Sequence, residues 1–544
     1  MKMTYSNTII TTVFLSLLCL VSAMGFTGCT EGAGWAKENS GNEYYLSASG
    51  NDLGDGSFER PWRTIEKLNS IDLKPGDAVY FEGGSTFEGT ILLGPDDSGK
   101  PEKNVVIGSF GKGRATINGG TREGLSAENC NHLMVKDLIF AGDGRKSGNV
   151  TNGVFIRKTT GLTVDNCEIS GFQHSGLNVH QASDVRITRV YAHDNGFAGI
   201  HVNGTTMHDP VNYDNSNIYI GYCIAENNPG DPTVEKNHSG NGILASSVRG
   251  GLIEYCLAFN NGWDMEWTGN GPVGIWIWDC TDFIIQYCIS HDNKTNPVAK
   301  DGGGFDFDGG VSNSILQYCI SYNNQGPGIG LFEFGAAKTW ENNIVRYNIS
   351  INDGTINPGS LAVWKNETAG VMRNCEIYNN TFYNDTPGGV SLWFYNNWPG
   401  FNFRNNIFVY MDSFIYPGQK LEDELFQGNA YWSLNGDTAI AGFGSLKDWA
   451  DATGNEIMAG SLIGIFADPM FAGTGTISLT DPGKINAENL SQWALRPGSP
   501  LIDRGLDMKG MFMIDPGGFD IAGTTIPYGE GFEPGALEYT SEQK

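Results

Sequence analysis

Between Asn104 and Tyr410 the apolar residues alternate in short runs bounded by Gly, Asn and Asp, and no stretch repeats at helical spacing. Gly199-Ile200-His201-Val202-Asn203 and Gly274-Ile275-Trp276-Ile277-Trp278 place successive side chains on opposite faces, which is the period of a strand. Each such run is followed by a second phrase: an aromatic residue or Asn, then Cys, an apolar residue, and a polar run ending in Asn. It reads Tyr222-Cys223-Ile224-Ala225-Glu226-Asn227-Asn228, Tyr255-Cys256-Leu257-Ala258-Phe259-Asn260-Asn261, Tyr287-Cys288-Ile289-Ser290-His291-Asp292-Asn293 and Tyr318-Cys319-Ile320-Ser321-Tyr322-Asn323-Asn324. Asn166-Cys167, Tyr347-Asn348 and Asn374-Cys375 open the same phrase. A period of roughly 23 to 33 residues signals stacked structural units.

Strands joined by short turns, with no crossover helices between them, predict an all-β, right-handed, single-stranded parallel β-helix. About eleven rungs fit between 104 and 410, and at ~4.8 Å per rung the barrel is ~50 Å long. Cys223, Cys256, Cys288 and Cys319 then fall at one inward position of successive rungs, a column of buried thiols rather than disulfide partners. The recurrent asparagines fall at a turn, where stacked amides satisfy backbone groups. They are architectural.

A solenoid needs covered ends. At the front, Pro61 with Trp62, Ile65 and Leu68 predicts a small capping helix. At the back, Leu446–Thr453 reads as a short helix and the remainder as an irregular cap. The apolar run Ile9–Phe26 behind Lys2 reads as an export signal. Phe26-Thr27-Gly28-Cys29 is similar to a bacterial lipobox, with Cys29 as the lipidated residue. The expected organisation is a signal peptide (1–28), a tether (29–42), an N-terminal cap with the first strands (43–103), the β-helix (104–410) and a C-terminal cap region (411–544). The expected location is that of an exported lipoprotein, periplasmic or attached to the outer membrane, touching the bilayer only through its N-terminal lipid and acting as a monomer.

Composition narrows the partners. Gly stands at 75 of 544 residues, which suits many turns, and a net charge of -27 argues against nucleic acid, whose phosphates call for Lys and Arg. The opening Tyr45-Leu46-Ser47-Ala48-Ser49-Gly50-Asn51-Asp52, the Cys/Asn-marked rungs and the closing Pro497-Gly498-Ser499-Pro500-Leu501-Ile502-Asp503 resemble the pectate-lyase-like right-handed β-helix superfamily of secreted bacterial carbohydrate-active proteins. The resemblance implies the fold and an oligo- or polysaccharide partner. It leaves the activity open, since that superfamily holds hydrolases, lyases, epimerases and binders.

One segment breaks the apolar/Asn pattern. Asp301-Gly302-Gly303-Gly304-Phe305-Asp306-Phe307-Asp308 sets three carboxylates in eight residues, and Gly330-Leu331-Phe332-Glu333-Phe334 has a similar outline. Aligning the two Phe pairs places Glu333 on Asp306, one rung away, both facing a surface groove with Asp308. Carboxylates ~4.8 Å apart fit a retaining glycosidase, whose two acids stand ~5–5.5 Å apart. The arrangement is similar to the β-xylosidase-type branch of β-helix glycoside hydrolases. On that resemblance Asp306 is the nucleophile and Glu333 the proton donor. Trp276, Trp278, Trp364 and Trp393 supply faces for sugar rings, and His180, His201, Asn203 and Lys365 supply hydrogen bonds.

No cofactor is required on this reading. On a second, Asp301, Asp306 and Asp308 hold Ca²⁺ for a lyase or related eliminase acting on uronic-acid glycans. A third reading is a non-catalytic glycan binder built on the tryptophans. The stretches 205–215 and 230–240 are loops that wall the groove or decorate it.

Overall fold

The computed structural model describes residues 41–540, except 206–208, 210, 336, 367–369, 396–398, 422 and 476. The expected signal, lipobox Cys29 and most of the tether lie outside the described residues.

The chain winds as a right-handed parallel β-helix with three faces. One sheet of 14 strands runs from Thr86–Glu88 to Ile465–Phe466, and a second of 22 strands forms the other two faces. The second sheet bends because long strands such as Asn241–Glu254 and Ile275–Gln286 cross a corner, where Ser247, Asp279 and Asp282 hold positive φ. Among the described residues the pairings between coils are parallel, with one register shift at Asn118/Gly120; a regular run is Ile243↔Ile275↔Phe305↔Ile329↔Leu361. These five residues are at most 1% exposed and form part of one continuous core.

The predicted columns are present. All eight described cysteines are free and buried. Each Asn at the second corner accepts the backbone N–H and the side-chain amide of the Asn one coil earlier: Asn195 to Asn228, Asn228 to Asn261, Asn261 to Asn293 and Asn293 to Asn324, at 2.9–3.3 Å. The same relation then carries Asn324 to Asp353. The residue before each of Asn228, Asn261, Asn293 and Asn324 is an Asn or Asp at φ 52–56°, a left-handed conformation that these short polar side chains tolerate. At the cysteine corner the thiols give way to amides. Cys319 N–H donates to Asn348, and the column continues through Asn380, Asn406 and Asn429 to Glu456.

Both ends differ from expectation in detail. The N-terminal helix is one turn, Ile65–Leu68, capped by Thr64, whose hydroxyl accepts Lys67 N–H at 3.2 Å. Trp62 precedes it as a bridge partner of Leu46, because the Trp ring is needed flat against Tyr44, at 5.0 Å. At the other end the coils continue beyond Tyr410, through Ser413–Ile415, Leu425–Gln427 and Ala430–Ser433. Helix Leu446–Thr453 closes the barrel there, with buried Trp449 packed on Phe414, Phe426 and Tyr431. Beyond that helix, described segments lie along the outside of the coils, where Tyr318, Tyr322, Arg346 and Tyr378 donate to the carbonyls of Phe519, Leu479 and Asp515. The outward apolar residues Ile289, Ile320, Ile349 and Ile407 draw these segments there, since those side chains would otherwise be exposed.

Asn261 makes four bonds with its own amide and sits at 1% exposure. Asn261→Leu strands a buried N–H and a buried carbonyl. It is expected to lower stability by about 2–4 kcal/mol, read from urea or thermal unfolding, with no change in the cysteine column.

Candidate active site

On one face, the strands Ile275–Gln286, Phe305–Phe307, Ile329–Glu333, Leu361–Lys365 and Val390–Tyr395 lie side by side. Loops rise on both edges of this face and leave a groove of about 1160 Å³. Trp276, Trp278, Trp364 and Trp393 all line it, with Asp301 and Asp308 among them. The loops contribute Asn237, His238, Asn270, Lys300 and Asn357 on one side and Asn366 on the other. Lys300 Nζ sits 5.5 Å from the centre of the Trp364 ring.

The acids are arranged differently from the expectation. Asp306 pairs in register with Gly330, and Glu333 pairs with Lys365 on the following coil. The true offset between the two strands is 24 residues rather than 27. A shift of three is odd, so it turns every side chain of the second strand to the other face. Phe332 and Phe334, expected inside, line the groove; Glu333, expected in the groove, shares the inward parity of Ile329 and Leu331 and is 0% exposed. The physical reason is that Ile329 and Leu331 continue the aliphatic core column, which Phe332 and Phe334 would have had to displace.

Glu333 is held by Gly310 N–H, at 3.0 Å to Oε2. Burial pushes its carboxyl up to about 8, with Asp308 adding to the rise. Asp306 does lie on the groove face, but beneath a cover. A Cβ on Gly330 would meet the Phe332 ring at 2.6 Å and Asp306 Oδ1 at 3.0 Å, so the glycine is what lets the ring fold down beside the carboxyl. Asp306 is 3% exposed, and burial, then Asp308 and Asp301, raise its pKa well above the usual range.

That leaves Asp301 and Asp308 as the acids with access. Asp308 accepts Gly309 N–H at 2.7 Å, and burial followed by the charge of Asp301 brings it to about 7. Asp301 accepts Gly271 N–H at 2.9 Å. Burial brings it to about 6, with Gly271 N–H and Lys300 opposing the rise. Both belong to one coil, Asp301 on its wall loop and Asp308 at the end of strand Phe305–Phe307, so coil spacing does not set their separation. Among the described residues no group of three or more His, Cys, Asp or Glu side chains is placed to hold a metal ion, Asp301, Asp306 and Asp308 included.

The other expected residues divide. His180 Nδ1 lies 2.8 Å from Asn203 Oδ1, its in-register neighbour, and His201 is buried against Phe197, at 5.2 Å between rings. These three sit on earlier coils and are not part of the groove lining. Lys365 stands beside Glu333, off the lining. His238 and Asn237 were not foreseen, although they lie in the 230–240 stretch marked as a wall. A lone His in a Gly-rich loop carries no periodic signal.

The family model for the Pel9A-like right-handed β-helix region matches residues 44–389. The chain belongs to this family. Among curated proteins, a lacto-N-biosidase of Bifidobacterium longum subsp. longum is 31% identical over 139 residues, which is 24% of this chain and 8% of that protein. The chain therefore spans under a tenth of that relative's length. Among solved structures, the lacto-N-biosidase of Eubacterium ramulus superposes with a TM-score of 0.47 at 17% identity, over 70% of this chain and 67% of the other. Pectate lyase Pel9A superposes with a TM-score of 0.39 at 15% identity, over 92% and 96%.

The raised acids bear on stability. In the folded chain Asp301, Asp308 and Glu333 hold protons at pH values where the unfolded chain has released them. The contribution of these three groups to stability is therefore fully present near pH 4 and is lost as pH rises through about 6, 7 and 8 in turn. Glu333→Gln should flatten the upper part of that loss: thermal melts should show the variant above wild type at pH 8.5 and close to it at pH 5.

Proposed function

We propose that this protein is a glycan-degrading enzyme, a glycoside hydrolase whose working acids are Asp301 and Asp308. The supporting observation is that these two raised carboxyls both line a groove that also carries four tryptophans. Hydrolysis of a glycosidic bond needs one acid that still carries its proton and one that has lost it. Two carboxyls raised to about 6 and about 7, the second in part by the charge of the first, meet that need near neutral pH. The tryptophan faces stack on the apolar faces of sugar rings, and the groove volume suits an oligosaccharide. The similarity to lacto-N-biosidases makes lacto-N-biosides the first substrates to try.

Family membership favours a second reading, elimination on a uronic-acid glycan such as pectate, with Lys300 facing the substrate's carboxylate. The two readings differ by one water in the products. Mass analysis of digests of 4-nitrophenyl lacto-N-bioside and of pectate, with absorbance of the unsaturated uronate followed in parallel, separates them. A glycan that binds without turnover on either arm would reduce the protein to a binder.

For the hydrolase, Asp301→Asn and Asp308→Asn are each expected to lower kcat by at least about 10³-fold, the scale of lost acid–base or nucleophilic assistance, while the fold stays intact by circular dichroism. The pH–rate profile should be bell-shaped, with limbs near 6 and 7. Azide rescue of one of Asp301→Gly and Asp308→Gly, but not the other, would show which acid attacks. Retained wild-type rates in both Asn variants would overturn the assignment. The lipid anchor at Cys29 belongs to the same proposal, as export would bring the groove to extracellular glycans; palmitate labelling lost in Cys29→Ser tests it.

A further inference from the structure

Beside Trp276, in the groove wall, stands His238, contributed by the loop that follows strand Ile224–Glu226. Its ring packs edge-on against Trp276, at 4.9 Å, and over Phe197, at 5.7 Å, and it is 8% exposed. Four bonds made by the Asn241 amide decide which His238 nitrogen carries hydrogen. One atom of the Asn241 amide lies 3.1 Å from Trp276 Nε1 and 3.4 Å from Val273 N. An indole N–H and a backbone N–H only donate, so that atom is the oxygen. The other is therefore the NH₂ group. It gives one hydrogen to the Phe197 carbonyl, at 3.0 Å, and the second to His238 Nδ1, also at 3.0 Å. An Nδ1 that accepts has no hydrogen of its own, so a neutral His238 carries it on Nε2.

Resting on the hydrolase reading above, we infer that His238 is a specificity-determining residue: Asn241 locks it as the Nε2–H tautomer, and this N–H donates to an oxygen of a neutral sugar bound in the groove. Asn241 thus fixes two things together, the tautomer of the donor and the position of the buried Trp276 ring packed against it. Burial brings His238 down to about 4, in keeping with a donor that stays uncharged at neutral pH. His201 lies close enough to disfavour a second charge. A neutral donor suits a hydroxyl or an acetamido carbonyl and gives no advantage to a carboxylate, so it points to an uncharged sugar at this position.

Protein labelled with ¹⁵N-histidine, at pH 7 and without ligand, should show His238 with an unprotonated Nδ1 and a protonated Nε2, assigned by the signal lost in His238→Gln. Asn241→Asp keeps the acceptor for Trp276 and removes the donor to His238. It should move the proton to Nδ1 or add a second one. Lacto-N-biose titrated into Asp308→Asn protein should shift the Nε2–H resonance. In that background His238→Phe, which keeps a ring against Trp276, should weaken the disaccharide at least 10-fold, and His238→Gln, which keeps an N–H, by less. An Nδ1–H tautomer in the wild type overturns the inference, as does unchanged affinity in His238→Phe with a wild-type melting curve. Binding that depends on His238 without turnover in protein retaining Asp308 would instead overturn the hydrolase reading and leave the donor standing.

Discussion

The fold rests on one constraint: every coil must turn its corners in the interior of a stack without leaving turn amides unpaired. A buried backbone group without a partner costs on the order of a hydrogen bond each time it recurs, and here it would recur at every coil. The structure meets this with side-chain amides that each serve the coil before and the coil after, as from Asn195 to Asp353. Once those corners are fixed, the length of the loops between strands is free to vary. The walls of the groove are such loops, and the floor is strand.

This division explains what could be read from the chain alone. The Cys and Asn columns repeat a residue type at one position, so fold, column and the Leu446–Thr453 helix were legible. The groove tryptophans followed from strand parity within single runs. The partnership of Asp306 with Glu333 did not, because it needed the offset between two runs separated by a loop of unknown length. Matching Phe305 and Phe307 to Phe332 and Phe334 was locally plausible, yet the aliphatic pair Ile329 and Leu331 competes for the same interior positions and wins. The error of three residues inverted the face of Glu333 and moved the accessible pair of acids to Asp301 and Asp308.

The site that results has two kinds of carboxyl. Asp306 and Glu333 are withdrawn from solvent, one under Phe332 and one in the core, and both are held toward the neutral form by burial. Asp301 and Asp308 share that environment but keep an open side. The inner pair thus keeps the electrostatics of the groove floor nearly neutral around pH 6–7, in a chain whose net charge is -27. Were Asp306 and Glu333 ionised as well, their charges would push Asp301 and Asp308 higher still.

The amide column also has a direction. Each member receives from the one before and passes nothing back, so the series needs a last residue that only receives. Glu456 is that residue: it takes both donors of Asn429, the N–H of Gly428 and the hydroxyl of Tyr431. An extra turn of solenoid could be spliced anywhere among the asparagines and inherit working contacts on both sides. Added after Glu456, it would meet a carboxylate with no hydrogen to pass on. At this corner the relay therefore stops at Glu456, and a duplicated turn is most readily received among the asparagines before it.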